Sequence, residues 1–593
     1  MEQDPVRAEL ETRRRPGAVV QRLSGLGQLA AIFTGRGVPP SLRVVIRDAF
    51  TAQGHLRPSI IQQQRDTLGN SFKDFGRDDW TRVISVLLPG VAGSAAAAIT
   101  TLDNRPYQTG MSRRPFRCRL SRGTQNWIRG QWLLHTTLLV GEYEADICWI
   151  AERAAHLASW WGAVEIGWLL AGAIDAGGPT GQHVQEILVA SASGGQDGAP
   201  MGRHVTQALM SCSKPDAWEF VEKLLLAAQR QEGLRQAILE SIDEAHPGAF
   251  RRMVRLILSE NLTRFSSVVR AADTWFGFMW DGSSGIKIQG LLERVSLFLD
   301  DPSARTAALQ ESDGETVYLA LWSIAFDDVD SAIAPASALL QSPSVAVRFA
   351  ATHFLVQTLW TSGITPLANQ LTDPDLSVAV RALDIFSIDR TASVNGERLF
   401  GQIEQLLQRV PKRSQAVDSP IWPWWKRRIE RPTIAAALVA NAAAVHGDRL
   451  LPYIPDLSPF GRAAFVRQAA GLAHQWDRHV VAKPRKPSAA ERTVILELLG
   501  DPSPDVRSAA FQALDATPVL PDELDRLVNL LGRTPGDLRN SVLKRLGTLP
   551  DPAFLAVADR LLDNDEEQRR LAGLELLRLA GETKRLTSAV AER

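Results

Sequence analysis

An all-α solenoid of antiparallel helical pairs is the fold this sequence predicts, on three observations. One turn motif recurs between apolar helical segments. Its arginines recur 30 to 33 residues apart, the length of a two-helix repeat. Strand-like alternation of polar and apolar residues is scarce from end to end. At 593 residues the chain is also far longer than one compact core needs. A solenoid escapes that limit, because each repeat packs only on its neighbours.

The motif is clearest at Leu498-Leu499-Gly500-Asp501-Pro502-Ser503-Pro504-Asp505-Val506-Arg507. An apolar helix starting near Ala489 closes on the leucines. Pro502 stops it, since proline lacks the backbone donor and disfavours helix in the residue before it. Asp505 is then expected to cap the next helix, whose apolar stripe is Val506, Ala509, Ala510 and Leu514. Arg507 lies six residues after Asp501 and can reach the turn carboxylate of the following unit. The pattern returns at Ser342 with Arg348, at Asp375 with Arg381, at Arg533 with Arg539 and at Asp563 with Arg569. From Arg348 to Arg381 is 33 residues, from Arg507 to Arg539 is 32, and from Arg539 to Arg569 is 30. Ser342 and Arg533 stand where the others have aspartate, so a continuous Asp–Arg ladder is not expected.

This Leu-x-Asp-x-x-x-x-Val-Arg-x-x-Ala pattern resembles the HEAT repeat in its short bacterial form. The match is best at 489–515 and extends to 331–360, 362–386, 519–547 and 551–581. The resemblance implies a HEAT-like superhelix and carries no activity. Residues 204–300 predict two helical pairs: Ala217–Ala228 with Gly233–Ala245, then Ala249–Leu258 with Phe265–Trp275. With Gln229-Arg230-Gln231-Glu232 and Arg264-Phe265-Ser266-Ser267 they resemble the large bacterial molybdate-metabolism-regulator-like proteins, which continue into a further C-terminal domain.

The expected organisation is therefore a less regular helical region at 1–190, HEAT-like repeats at 204–408, a basic Trp-rich insertion at 409–432, and HEAT-like repeats at 433–593. Gly177-Gly178-Pro179 and the Gly/Ser stretch 191–200 read as loops. Val83 to Leu102 carries no charge, but Pro89, Gly90 and Gly93 interrupt it, which favours buried solenoid helices over a membrane span.

The 66 basic and 66 acidic residues balance, so any electrostatic site must be local. The three cysteines, Cys118, Cys148 and Cys212, are widely spaced and form no C-x-x-C. That pattern argues against disulfides and zinc and fits a reducing cytosol. The opening Met1-Glu2-Gln3-Asp4-Pro5 has no secretory character. No H-E-x-x-H, G-x-S-x-G or phosphate-binding loop occurs. Glu152 and His156 share a helix face, where a surface contact is the expected role. No catalytic, cofactor or metal residues are assigned.

Function is expected where the repeat is broken. The run Arg113, Arg114, Arg117, Arg119 and Arg122 has no acidic residue around it between Asp103 and Glu142, and Phe116 and Trp127 are interleaved. Such a set suits phosphate backbones and exposed bases, although it could also be a solvated loop paired with carboxylates elsewhere in the fold. The second segment is Trp422, Pro423, Trp424, Trp425, Lys426, Arg427 and Arg428. Tryptophan and arginine dominate binding hot spots, although indoles here could also plug gaps between repeats. An acidic cluster from Asp300 to Asp330 could meet a basic partner or pair with arginines of the fold. The leading expectation is a non-enzymatic scaffold or regulatory protein with a protein partner. The alternatives are nucleic-acid binding through the Arg/Trp segments, or an enzyme with its site in residues 1–200.

Overall fold

The computed structural model describes residues 143–590, apart from 155–162, 194–202, 278–284, 387–395, 441–446, 473–484 and a few shorter stretches. The Arg113–Arg122 run, the charge-free stretch Val83–Leu102, the Gly/Ser stretch after Ser193 and His156 lie outside the described residues. The chain divides into two compact units. One is Met1–Gly363 with Ser419–Trp425; the other is Ile364–Asp418 with Lys426–Arg593.

The described part of the first unit is helical: α1 (Tyr143–Arg153), α2 (Ala163–Ala176), α3 (Gly178–Ser193), α4 (Arg203–Ser211), α5 (Pro215–Ala227), α6 (Glu232–Ile242), α7 (Pro247–Ser259), α8 (Ser266–Phe276), α9 (Gly285–Asp300), α10 (Pro302–Ala308), α11 (Gly314–Asp327), α12 (Val329–Leu339) and α13 (Val345–Thr358). Helices next but one in sequence pack together. One row is α2, α4, α6 and α8; the other is α3, α5, α7, α9, α11 and α13. Two parallel rows of this kind are what stacked helical hairpins produce. The helices expected at 217–245 are α5 and α6, which pack together; those expected at 249–275 are α7 and α8, both of which pack on the short turn Leu262–Arg264 between them. In α7 the apolar stripe Phe250, Met253, Val254 and Ile257 is buried, while Arg252 turns outward to a paired grip on Glu222 at 2.8 and 2.7 Å.

The Gly177-Gly178-Pro179 punctuation is a helix start and not an extended loop. Gly177 and Gly178 take positive φ of 69° and 68°, and α3 follows at once. Proline suits the first helical turn, where its missing donor costs nothing.

The second unit begins within α14 (Thr361–Gln370) and continues with α15 (Leu376–Phe386), α16 (Gly396–Arg409), β1 (Gln415–Asp418), β2 (Lys426–Ile429), α17 (Arg431–Ala440), α18 (Pro459–Ala470), α19 (Ala489–Leu498), α20 (Pro504–Asp515), α21 (Leu524–Leu530), α22 (Gly536–Leu546), α23 (Asp551–Leu562) and α24 (Glu567–Glu582). The sequence did not predict the strands. They pair antiparallel, with Gln415 opposite Ile429 and Asp418 opposite Lys426. Toward the C-terminus α18, α20, α22 and α24 form one row. Helix α19 opens on a capping box: Ser488 Oγ accepts from Glu491 N at 3.2 Å, and Glu491 Oε2 accepts from Ser488 N at 2.8 Å.

The recurring turn has one chemistry in both units. A side-chain oxygen accepts the backbone N–H two residues on: Asp301 from Ser303 at 2.8 Å, Ser342 from Ser344 at 3.3 Å, Asp373 from Asp375 at 2.8 Å, Asp501 from Ser503 at 2.8 Å, and Asn564 from Glu566 at 3.0 Å. The position therefore needs a short-reach acceptor, which aspartate, serine and asparagine all supply. In three of the five an arginine six residues on closes the turn. Arg348 Nη1 donates to Ser342 O and Pro343 O, Arg507 Nη1 to Asp501 O and Pro502 O, and Arg570 Nη1 to Asn564 O and Asp565 O.

Three expectations change here. The turn arginine of the last repeat is Arg570, because the acceptor is Asn564 rather than Asp563. Arg381 engages Asp384 at 2.6 Å. Helix α20 starts at Pro504, so Asp505 lies in its first turn and not at the cap. A carboxylate there still faces the positive end of the helix dipole.

Candidate functional site

The Trp segment divides by burial. Trp422 is fully buried and Trp425 nearly so, whereas Trp424 is half-buried. Ser419 shapes the segment: its Oγ accepts from Ile421 N and Trp422 N, both at 3.0 Å, and its N–H donates to Trp425 O at 3.0 Å. Pockets on α11 and α13 receive the rings. Trp422 stands edge to face with Tyr318 at 5.1 Å and with His353 at 4.9 Å. Trp425 meets Phe349 edge-on at 4.9 Å. Trp424 stacks on Trp422 at 5.3 Å with planes 21° apart. The Trp422 indole Nε1 donates to Glu315 Oε1 at 3.1 Å, and the same carboxylate binds Arg294 at 2.6 Å. Close approach here needs glycine at Gly314. A Cβ there would lie 2.5 Å from Ala346 O and 2.6 Å from Ile421 Cδ1.

Trp422 and Trp425 thus work as internal plugs, and Trp424 is the indole of the three that reaches solvent. In the second unit, Lys426 and Arg428 on β2 are exposed. Arg427 is half-buried, with Nη2 3.7 Å from Asp384 Oδ2.

The acidic cluster is largely neutralised within the first unit. Asp300 pairs with Arg255 at 2.7 Å, and Asp327 with Arg251 at 2.6 Å and Arg305 at 3.0 Å. Asp301 caps α10. Asp313 accepts from the backbone N–H and hydroxyl of Thr316. Burial works against ionisation of Asp313, yet these hydrogen bonds, the Glu315 N–H and the nearby Arg294 hold its carboxyl below the ordinary range.

A recess lies in the second unit, between α20 and α22. It has a cavity volume of about 530 Å³, within the range of small-ligand sites. Phe511 and Leu538 line it with apolar surface. Ser508, Gln512, Ser541 and Thr548 line it with neutral donors and acceptors, and Arg507, Lys544, Arg545, Asp515 and Asp537 supply charge.

Arg507 is fully engaged. Beyond the turn carbonyls it holds Asp537 Oδ2 through Nε at 3.1 Å and Nη2 at 2.5 Å. Arg507 therefore keeps the Asp537 carboxyl below its ordinary range. The expected reach from a turn arginine to the next repeat is realised here, on a carboxylate in the first turn of α22. The turn carboxylate Asp501 is met from the other side by Arg462, at 2.7 and 3.0 Å.

Behind the groove lies a buried pair, Glu523 with Arg492. Arg492 binds both carboxylate oxygens and also Thr517 Oγ1 and Pro518 O. Burial alone would raise the Glu523 carboxyl. Hydrogen bonds from Arg492 and Leu520 N, with the charges of Arg492 and Arg545, outweigh it and hold the group low. Nothing in the local sequence marks this groove. Lys544-Arg545 reads as an ordinary basic pair on a helix, and only the packing of α20 against α22 makes a recess beside it.

A family model described as a family of unknown function, DUF5724, matches residues 73–592. The chain belongs to that family. The DUF5724 match includes the described parts of both units. No curated protein matches the sequence. Among solved structures, the chain is similar to Kap121p bound to Nup53p, at 13% identity over 88% of this chain with a TM-score of 0.27. It spans 61% of the length of that protein. It is also similar to importin beta, at 12% identity over 94% of this chain and 73% of that one, with a TM-score of 0.28. Among the described residues, no helix is long and apolar enough to cross a membrane, and no group of three or more metal-ligating side chains is gathered.

Proposed function

We propose that this DUF5724 member is a non-enzymatic scaffold or regulatory protein that holds a protein partner on the surface of its stacked helical pairs. The observation that carries the reading is the polar, charged groove between α20 and α22. It lies between two neighbouring helices of one row, and rows of this kind are how solenoids present binding surfaces. Trp424 in the first unit, and Lys426 and Arg428 in the second, are proposed as further contacts, since each reaches solvent and belongs to residue types favoured at hot spots or rims. The three widely spaced cysteines support a reducing, cytosolic setting. Kinship with the molybdate-metabolism-regulator-like proteins rests on residues 204–300 alone.

The test is capture by the full-length chain from lysate of its own host, followed by reconstitution with the purified candidate. A stoichiometric complex by light scattering is the expected result. No captured protein, or a candidate that fails to reconstitute, removes the proposal.

A further inference from the structure

Arg545 is 5% exposed and lines the α20–α22 groove. Among the described residues its guanidinium donates one hydrogen bond, from Nη2 to Thr517 O, although the group carries five N–H donors. Among the described residues no carboxylate forms an ion pair with it, and both oxygens of Glu523 are held by Arg492. Burial destabilises the charged form of Arg545, and the charge of Arg492 adds to that, while Glu523 and Asp515 offset part of it. An anion entering the groove would reverse this imbalance. Lys544, next in the chain, is exposed on the same groove and makes no ion pair among the described residues.

We propose that the groove seats an acidic segment of the protein partner, with a carboxylate of that segment on Arg545 and Lys544. This deepens the scaffold reading and rests on it. The guanidinium offers a planar fork that matches a carboxylate. Ser508, Gln512 and Ser541 lie alongside and can satisfy the N–H and C=O groups that an extended segment carries at every residue. A single carboxylate side chain is favoured over a nucleic-acid backbone because Asp515, which makes no ion pair among the described residues, lines the same recess. A fixed negative charge opposes a continuous ladder of phosphates more than it opposes one carboxylate.

Fluorescence anisotropy of the full-length chain tests this. The probe is a fluorescein-labelled peptide of roughly a dozen Glu, Ser and Gly residues, with two controls: the peptide with each Glu replaced by Gln, and a single-stranded oligonucleotide of equal charge. Loss of a charge-assisted contact predicts at least about a tenfold preference for the acidic peptide over the Gln peptide. That preference should fall with salt and vanish in R545M and in K544E. Lys544 is exposed, so K544E keeps the fold if R545M does not. Equal binding of the two peptides, unchanged affinity in K544E, or tighter binding of the oligonucleotide overturns the assignment. A partner captured equally by wild type and K544E also overturns it while leaving the scaffold reading intact. Failure of wild type to capture any partner strikes the scaffold reading instead, and the peptide titration still decides the groove.

Discussion

Trp422 in the first unit and Arg545 in the second are both almost removed from solvent, and both end in hydrogen-bond donors. Their surroundings differ. Trp422 has a single polar atom, and Glu315 accepts from it; aromatic rings of α11 and α13 and the Trp424 indole cover the rest of the side chain. Arg545 has one backbone acceptor, Thr517 O, and a like charge nearby. A completed polar group stabilises the fold and is inert toward partners. A largely buried cation with one protein acceptor and no ion pair adds little to the fold and is ready for a ligand.

The largest effect should come from breaking the completed site. Trp422→Ala removes a buried indole and leaves Glu315 without one donor, so a loss of about 3–5 kcal/mol is expected. Hydrogen exchange should report it as lost protection in α9, α11 and α13. Retained protection there would mean that the rings of α11 and α13 pack without their plug.

Next is the Glu523–Arg492 pair behind the groove. Glu523→Ala takes the carboxylate from Arg492, which keeps Thr517 Oγ1 and Pro518 O, at a cost of about 2 kcal/mol, read from the urea midpoint. The same pair predicts a pH dependence. Burial works to raise Glu523 and Glu491, but their hydrogen bonds and arginine partners hold both below the ordinary value of 4.5. The native state therefore binds fewer protons than the unfolded chain. The stabilisation is complete above about pH 4.5 and is lost as pH falls through the depressed native values. Glu523→Gln should flatten that acid limb; an unchanged limb would show that Glu523 does not contribute to it.

Gly314→Ala tests how tightly the first unit closes on Ile421. The added methyl meets Ala346 O and the Ile421 side chain, and overpacking of this kind costs about 1–3 kcal/mol. A neutral result in thermal melts would mean the segment around Ile421 yields easily.

The smallest effect should be at Arg545. Arg545→Met loses one hydrogen bond but also removes a buried charge, so stability should shift by less than about 1 kcal/mol in either direction. A larger loss would make Arg545 a structural strut like Trp422 and erase the contrast between the two regions.

Much of the architecture was legible. The helical pairs at 215–276 and the turn at 499–503 follow from apolar spacing and from proline and acceptor placement, which are local properties of the chain. The hairpin was not legible, because β2 reads Lys426-Arg427-Arg428 and gains its conformation from a partner at Gln415–Asp418. That information is non-local. The Trp segment was conspicuous in the sequence for its area and charge, yet the side to which an indole points is set by the rings it meets. Arg545 carried no signal at all, since its burial comes from α20 and its charge imbalance from Arg492. Sequence reasoning shifted the last turn by one residue for a related reason: it matched the letter aspartate at 563, while the fold uses the oxygen of Asn564.

That turn has a consequence for how such proteins change over generations. A site satisfied by any of three residue types, and closed by an arginine that binds main-chain carbonyls, places little demand on spelling. Repeats can drift apart in sequence while their geometry stays in register, so kinship among such chains should fade from alignment well before it fades from shape. Exchanging Ser342 for Asp should leave folding almost untouched, whereas Ala there should not.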